Sequence, residues 1–169
     1  MRRVRMTVRL SAAALLAVLS APDMRAQQAV PKNTEAAPAK HVMIAANDIK
    51  WGPAPPGLPA GAEAAILDGD PGKPAVFTLR VKAPDGYMVP PHWHPADEHL
   101  TVLSGSLMMA TGSKWDDNAL HEATAGSYMK MPRRVNHFVK TKGETIFQVS
   151  AMGPFAITYV DPKEDPRKK

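Results

Sequence analysis

From residue 75 onward, turn-forming residues break the chain every few positions, and no stretch between them is long enough for a helix. The segments "AVFTLRVK", "HLTVL", "SLMMAT", "SYMKMP", "NHFVKT", "TIFQVSA" and "AITYV" are rich in β-branched or aromatic residues, with "APDG", "SG", "GSKWDDN", "AG", "KGE" and "GP" between them. Short strands at this spacing predict an all-β sandwich or a small barrel. "DNALHEATAG" has room for one helical turn and no more. Ahead of these strands, "WGPAPPGLPAGAEAAILDGDPGKP" holds too many prolines and glycines for a long helix. It predicts an irregular arm with a short strand near residues 65–67, packed across a sheet through Trp51 and Leu58.

The first 26 residues read differently. Arg2, Arg3, Arg5 and Arg9 precede an apolar run over residues 10–21, shorter than the roughly 20 residues a spanning helix needs. The pattern fits a secretory signal cleaved after Ala26, with an uncleaved anchor as the alternative. Residues 27–40 are rich in Ala, Pro and Gln and are expected to form a flexible linker. Residues 41–162 then form the barrel domain, and 163–169 a polar, frayed tail. Residues 1–26 hold five of the 21 Lys+Arg and one of the 16 Asp+Glu, leaving 16 against 15, a net of +1. The basic character thus belongs to the leader, and nucleic acid is not an expected partner. The chain has no cysteine, which excludes disulfides, thiolate ligands and a cysteine nucleophile. A periplasmic or secreted protein without a stable membrane anchor is expected.

The stretch "PPHWHPADEHLTVLSG" carries the chemistry. His92 and His94 are two apart, so an extended segment points both the same way, and Pro90, Pro91 and Pro95 forbid a helix. Glu98 shares their parity and enters the next strand facing the same interior. An inward carboxylate needs a cation to meet it. Two neutral imidazoles cannot supply one, but a divalent metal ion can. His137, opening "HFVKT" after a turn, is the candidate fourth ligand from a neighbouring strand.

These residues resemble the cupin superfamily. Residues 86–105 follow its first motif at every specified position: Gly86, His92, His94, Glu98 and Gly105. The second motif is partial, with Gly126, Pro132 and His137 in place, Arg134 where a glycine is usual, and Thr141 where an asparagine is usual. The resemblance spans residues 75–160 and is strongest to small, secreted, single-domain bacterial cupins. It implies a double-stranded β-helix, or jelly-roll barrel, with the metal inside one mouth. It assigns metal-ligand roles to His92, His94, Glu98 and His137, and it makes a homodimer the expected assembly.

Three imidazoles and one carboxylate suit Mn or Fe first, then Ni, Zn or Co, and leave coordination positions open. The favoured activity is a dioxygenase-type oxidoreductase acting on a small organic substrate, with Glu98 as a catalytic base. The alternatives are a decarboxylase, isomerase or lyase, and a non-catalytic cupin that binds a ligand or metal. Cupin lyases acting on sulfonium compounds carry a tyrosine where this chain has Leu100, which disfavours that chemistry. His99 and Asp97 are expected to face outward by strand parity, Trp93 to turn away from the metal, and His41 and His121 to lie on the surface. Met88, Met108, Met129 and Met131 are candidates for an apolar substrate pocket beside the metal.

Overall fold

The computed structural model describes residues 41–169; the expected signal (1–26) and linker (27–40) lie outside the described residues. The described chain is an antiparallel sheet that curls on itself. Its main path runs β1 (Gly52–Pro53), β2 (Glu63–Asp68), β3 (Val76–Ala83), then β8 (His137–Met152), β4 (Met88–Trp93) and β9 (Thr158–Tyr159). β5 (Glu98–Thr111) pairs with β8 and also carries β6 (His121–Thr124) and β7 (Tyr128–Met131).

Alternation drives the curl. Along β3, Phe77, Leu79, Val81 and Ala83 are buried, while Thr78, Arg80 and Lys82 face out. The outward row is satisfied across to β8: the Thr78 and Ser150 hydroxyls lie 2.9 Å apart, and Arg80 Nε donates to Gln148 Oε1 at 3.1 Å. The inward row joins Val89, Leu100, Val102, Leu107, Phe147 and Val149 in one apolar core. Burial on one face and hydration on the other is what period-2 patterning produces in an antiparallel sheet.

Two turn signals have another meaning here. "SG" and "KGE" were expected to separate strands, but β5 and β8 each run straight through them. Gly105 and Gly143 take φ +74° and +73° as kinks inside continuous strands. At Gly105 a side chain is excluded twice over, because a Cβ would also strike the Glu144 carbonyl and Thr145. The pairing of β5 with β8 shifts register around this point. Inward parity on β5 therefore changes, from Glu98, Leu100 and Val102 before the kink to Leu107 and Met109 after it.

The segment expected to hold one helical turn holds a 3₁₀ turn at Asp117–Ala119 and then β6. The proline-rich arm contains β2 and lies against the barrel: Ala54 and Leu58 pack on the core. Tyr87 Oη donates to Pro59 O at 2.6 Å and Tyr159 Oη to Gly57 O at 2.8 Å. Trp51 instead lies by the Lys82 ammonium, 5.0 Å from its ring centre. The tail is seated rather than frayed. Asp165 is buried and caps a 3₁₀ turn over Pro166–Lys168, pairing with Arg167, whose guanidinium also donates to Ile157 O at 3.0 Å. Among the described residues no helix is long and apolar enough to cross a membrane.

Candidate metal centre

Three strand ends meet at one mouth of the barrel. β4 ends in His92 and Trp93, with His94 next; β5 begins with Glu98; β8 begins with His137. His92 and His137 are direct cross-strand partners, which sets their rings 4.2 Å apart between centroids. His94 lies 5.0 Å from His92 and 5.3 Å from His137. One nitrogen from each of these three imidazoles lies within 4.8 Å of the others, and all three side chains are buried.

The protons on these rings are placed by the backbone. His92 Nδ1 is 2.7 Å from Pro90 O, His94 Nδ1 is 2.8 Å from Ala156 O, and His137 Nδ1 is 3.0 Å from Val135 O. A carbonyl only accepts, so each Nδ1 carries the hydrogen and each Nε2 presents a lone pair. Glu98, fully inside, sets Oε2 3.4 Å from His137 Nε2 and 3.8 Å from His94 Nε2. Three lone pairs and a carboxylate thus converge with no donor among them. That donor set is suited to a divalent transition metal ion, and outer hydrogen bonds of this type are what orient metal-binding imidazoles.

The electrostatics agree. Burial, reinforced by His137 and His94, pushes the His92 imidazole down to about 3. Burial also lowers His94, against the pull of Glu98. Burial alone would raise the Glu98 carboxyl, but contact with His137 and the proximity of His94 and His92 hold it below the ordinary range. His92 and His94 are thereby held neutral and Glu98 anionic, the protonation a metal site requires of them. The His94 ring is also fixed from outside, stacked on Phe155 at 4.3 Å and 16°.

The second motif departs from its usual residues without losing its shape. Arg134 adopts φ +61°, the left-handed conformation a glycine usually supplies, and its N–H donates to His94 O at 2.8 Å. The turn that delivers His137 is thereby tied to the segment that delivers His94. Thr141 is buried; its hydroxyl accepts from Tyr87 N at 2.8 Å and donates to Pro84 O, closing the turn between β3 and β4.

Other residues fall outside the cluster. His99 is exposed, with Nδ1 2.6 Å from the Tyr128 hydroxyl. Asp97 pairs with Lys130 at 2.8 Å and accepts from Arg133 N at 2.8 Å. Trp93 is half-buried, and His41 and His121 are exposed.

Above the cluster lies a cavity of about 160 Å³, lined by His92, His94, Glu98 and His137 and otherwise almost wholly by apolar residues. None of Met88, Met108, Met129 and Met131 lines it, so the expected methionine pocket is corrected. Constant alternation failed at two irregularities. The register shift between Val89 and His92 turns both inward and leaves Met88 40% exposed. The Gly105 kink turns Met109, rather than Met108, into the cavity. Met129 and Met131 pack with the core instead. The arm adds Pro55 and Leu58 to the lining, and the chain between β8 and β9 adds Phe155 and Ile157. Only Leu58 had a sequence signal, an apolar residue amid prolines; nothing periodic marked the others.

A curled antiparallel jelly roll with an inward histidine triad at its mouth is the cupin fold, and this chain has it. It belongs to the family described as a domain of unknown function, DUF4437, whose sequence model matches residues 16–158. No curated protein matches the chain. Among solved structures it is similar to the polyketide cyclase RemF from Streptomyces resistomycificus, at 22% identity over 76% of this chain and 92% of that one, with a TM-score of 0.62. It is also similar to a putative acetylacetone dioxygenase from Methylibium petroleiphilum PM1, at 20% identity over 77% and 88%, with a TM-score of 0.59. An RmlC-like cupin from Shewanella frigidimarina NCIMB 400 matches at 14% identity over 68% and 91%, with a TM-score of 0.52. These likenesses concern the fold.

Proposed function

We propose that this protein is a metal-dependent oxidoreductase of the dioxygenase type, acting on a small organic molecule, with the metal held by His92, His94, His137 and Glu98. The observation that carries this reading is the convergence of three Nε2 lone pairs and a carboxylate at the floor of an apolar cavity. A divalent ion there, Mn or Fe before Ni, Zn or Co, supplies Lewis acidity and open positions for substrate and O2. The residues do the rest. The three backbone carbonyls hold the imidazoles in their binding tautomer, and the apolar walls exclude water. Glu98, ionised and buried, takes a proton from the bound substrate at Oε2. Support for oxidative chemistry comes from a protein of this fold described as a putative acetylacetone dioxygenase. The character of residues 1–26 supports export to the periplasm or beyond, and the resemblance supports a homodimer.

Elemental analysis of the purified protein, with His92→Ala and Glu98→Gln beside it, tests the reading. Stoichiometric Mn or Fe, lost in His92→Ala, is expected, as is O2 uptake with phenols or enolisable carbonyl compounds that Glu98→Gln abolishes. Zn or Ni with no O2 uptake would move the assignment to lyase or isomerase chemistry. No metal after reconstitution, or a Glu98→Gln variant with both metal and full turnover, would overturn it.

A further inference from the structure

The cavity also constrains what can enter it. We infer that the substrate is a compact molecule with one oxygen-bearing end and an uncharged, apolar remainder, an inference that rests on the metal-site reading above only for the placement of the polar end. Among the described residues, the floor is the main polar surface. Beyond the His/Glu cluster, the walls are formed by residues such as Leu58, Val81, Leu100, Val139, Phe155 and Ile157. The one other polar side chain among the described lining residues is Tyr87, and its hydroxyl already donates to Pro59 O at 2.6 Å. Among the described residues, no lysine, arginine, serine, threonine, asparagine or glutamine lines the space.

The cations near the second motif do not reach it. Lys130 is engaged by Asp97 at 2.8 Å, and Lys140 lies 3.6 Å from Asp117. Arg133 lines a separate outer groove with Asp97 and His99. A second charged group on a ligand would therefore be buried against apolar walls with no partner, which is strongly unfavourable. A sugar would leave its hydroxyls unpaired for the same reason. Dicarboxylates, amino acids and sugars are excluded on these grounds.

Size narrows the class further. A dry apolar cavity near 150 Å³ accepts benzene, so about 160 Å³ here admits roughly six to ten non-hydrogen atoms. Simple phenols and short enolisable ketones fit that description. Leu58 is the residue best placed to set the limit, because it reaches the cavity from the arm rather than from a barrel strand.

Calorimetric binding of a matched pair tests this: para-cresol, with an apolar far end, and para-hydroxybenzoate, with a charged one. Both titrations are run on metal-loaded and on chelated protein. Para-cresol is expected to bind at least about tenfold tighter in both, since the preference comes from the walls. Leu58→Lys is expected to narrow or reverse the preference by giving the carboxylate a partner, whereas Leu58→Ala keeps it. If Leu58→Lys does not fold, the wild-type pair decides alone. Equal or tighter binding of para-hydroxybenzoate, or failure of para-cresol to bind metal-loaded protein, overturns the substrate class while leaving the metal reading intact. A chain that takes up no metal, yet still prefers para-cresol, overturns the metal reading and leaves this inference standing.

Discussion

The two corners that build the site are made differently. The first, residues 86–105, carries three of the four inward groups and keeps every specified residue of its motif. The second, residues 126–141, carries His137 alone and has exchanged a glycine for Arg134 and an asparagine for Thr141. Both still deliver their side chains, so what is maintained is backbone shape and hydrogen bonding rather than residue identity. Arg134 keeps the left-handed turn and the bond to His94 O, whereas Gly105 admits no such exchange, because a side chain there meets the Glu144 backbone.

Substituting the two left-handed positions would sharpen that contrast. Gly105→Ala is expected to destabilise most, by about 3 kcal/mol, because a strained φ and a backbone collision act together. Its denaturant midpoint should fall well below that of the parent; an unchanged midpoint would mean that β5 and β8 can part at the kink without loss.

Acid should produce an effect of comparable size, and it probes the first corner. An unfolded imidazole takes up its proton near pH 6.5, while folded His92 does so only near 3, and His94 is lowered as well. Between those values the unfolded chain binds more protons, so stability of the chelated protein falls as pH falls. Glu98 acts in the same direction: its carboxyl is lowered from 4.5, so the stability it contributes is present above that value and lost below it. The thermal midpoint of chelated protein is expected to drop steadily from pH 7 toward pH 4. A flat profile over that range would show that these groups are not held as described.

The smallest effect belongs to the second corner. Arg134→Gly relieves a left-handed side chain but loosens the unfolded chain, so a change of no more than about 1 kcal/mol is expected, of either sign. A loss much larger than that in a denaturant titration would mean the arginine side chain itself holds the turn.

Much of this site was legible because its signals are local. His92, His94 and Glu98 fall within seven residues, with Pro90 and Pro91 in the extended end of β4 and a bend at Pro95 and Ala96 leading into β5. His137 follows a turn at the head of a strand. Reading failed where one residue type serves two geometries. Glycine at positive φ closes a hairpin or kinks a continuous strand, and at Gly105 and Gly143 it does the second. From there parity was lost, and Met108 was assigned the place that Met109 holds. The arm was legible as irregular, but Leu58, Phe155 and Ile157 come together only through tertiary packing that no periodicity encodes.

Tyr87 and Tyr159 fasten the arm to the barrel through Pro59 O and Gly57 O, which are main-chain atoms. Those two bonds do not depend on which side chains the arm displays. The histidines on the barrel strands can thus stay in place when an arm residue such as Leu58 is replaced, so the cavity wall and the cluster beneath it can vary independently.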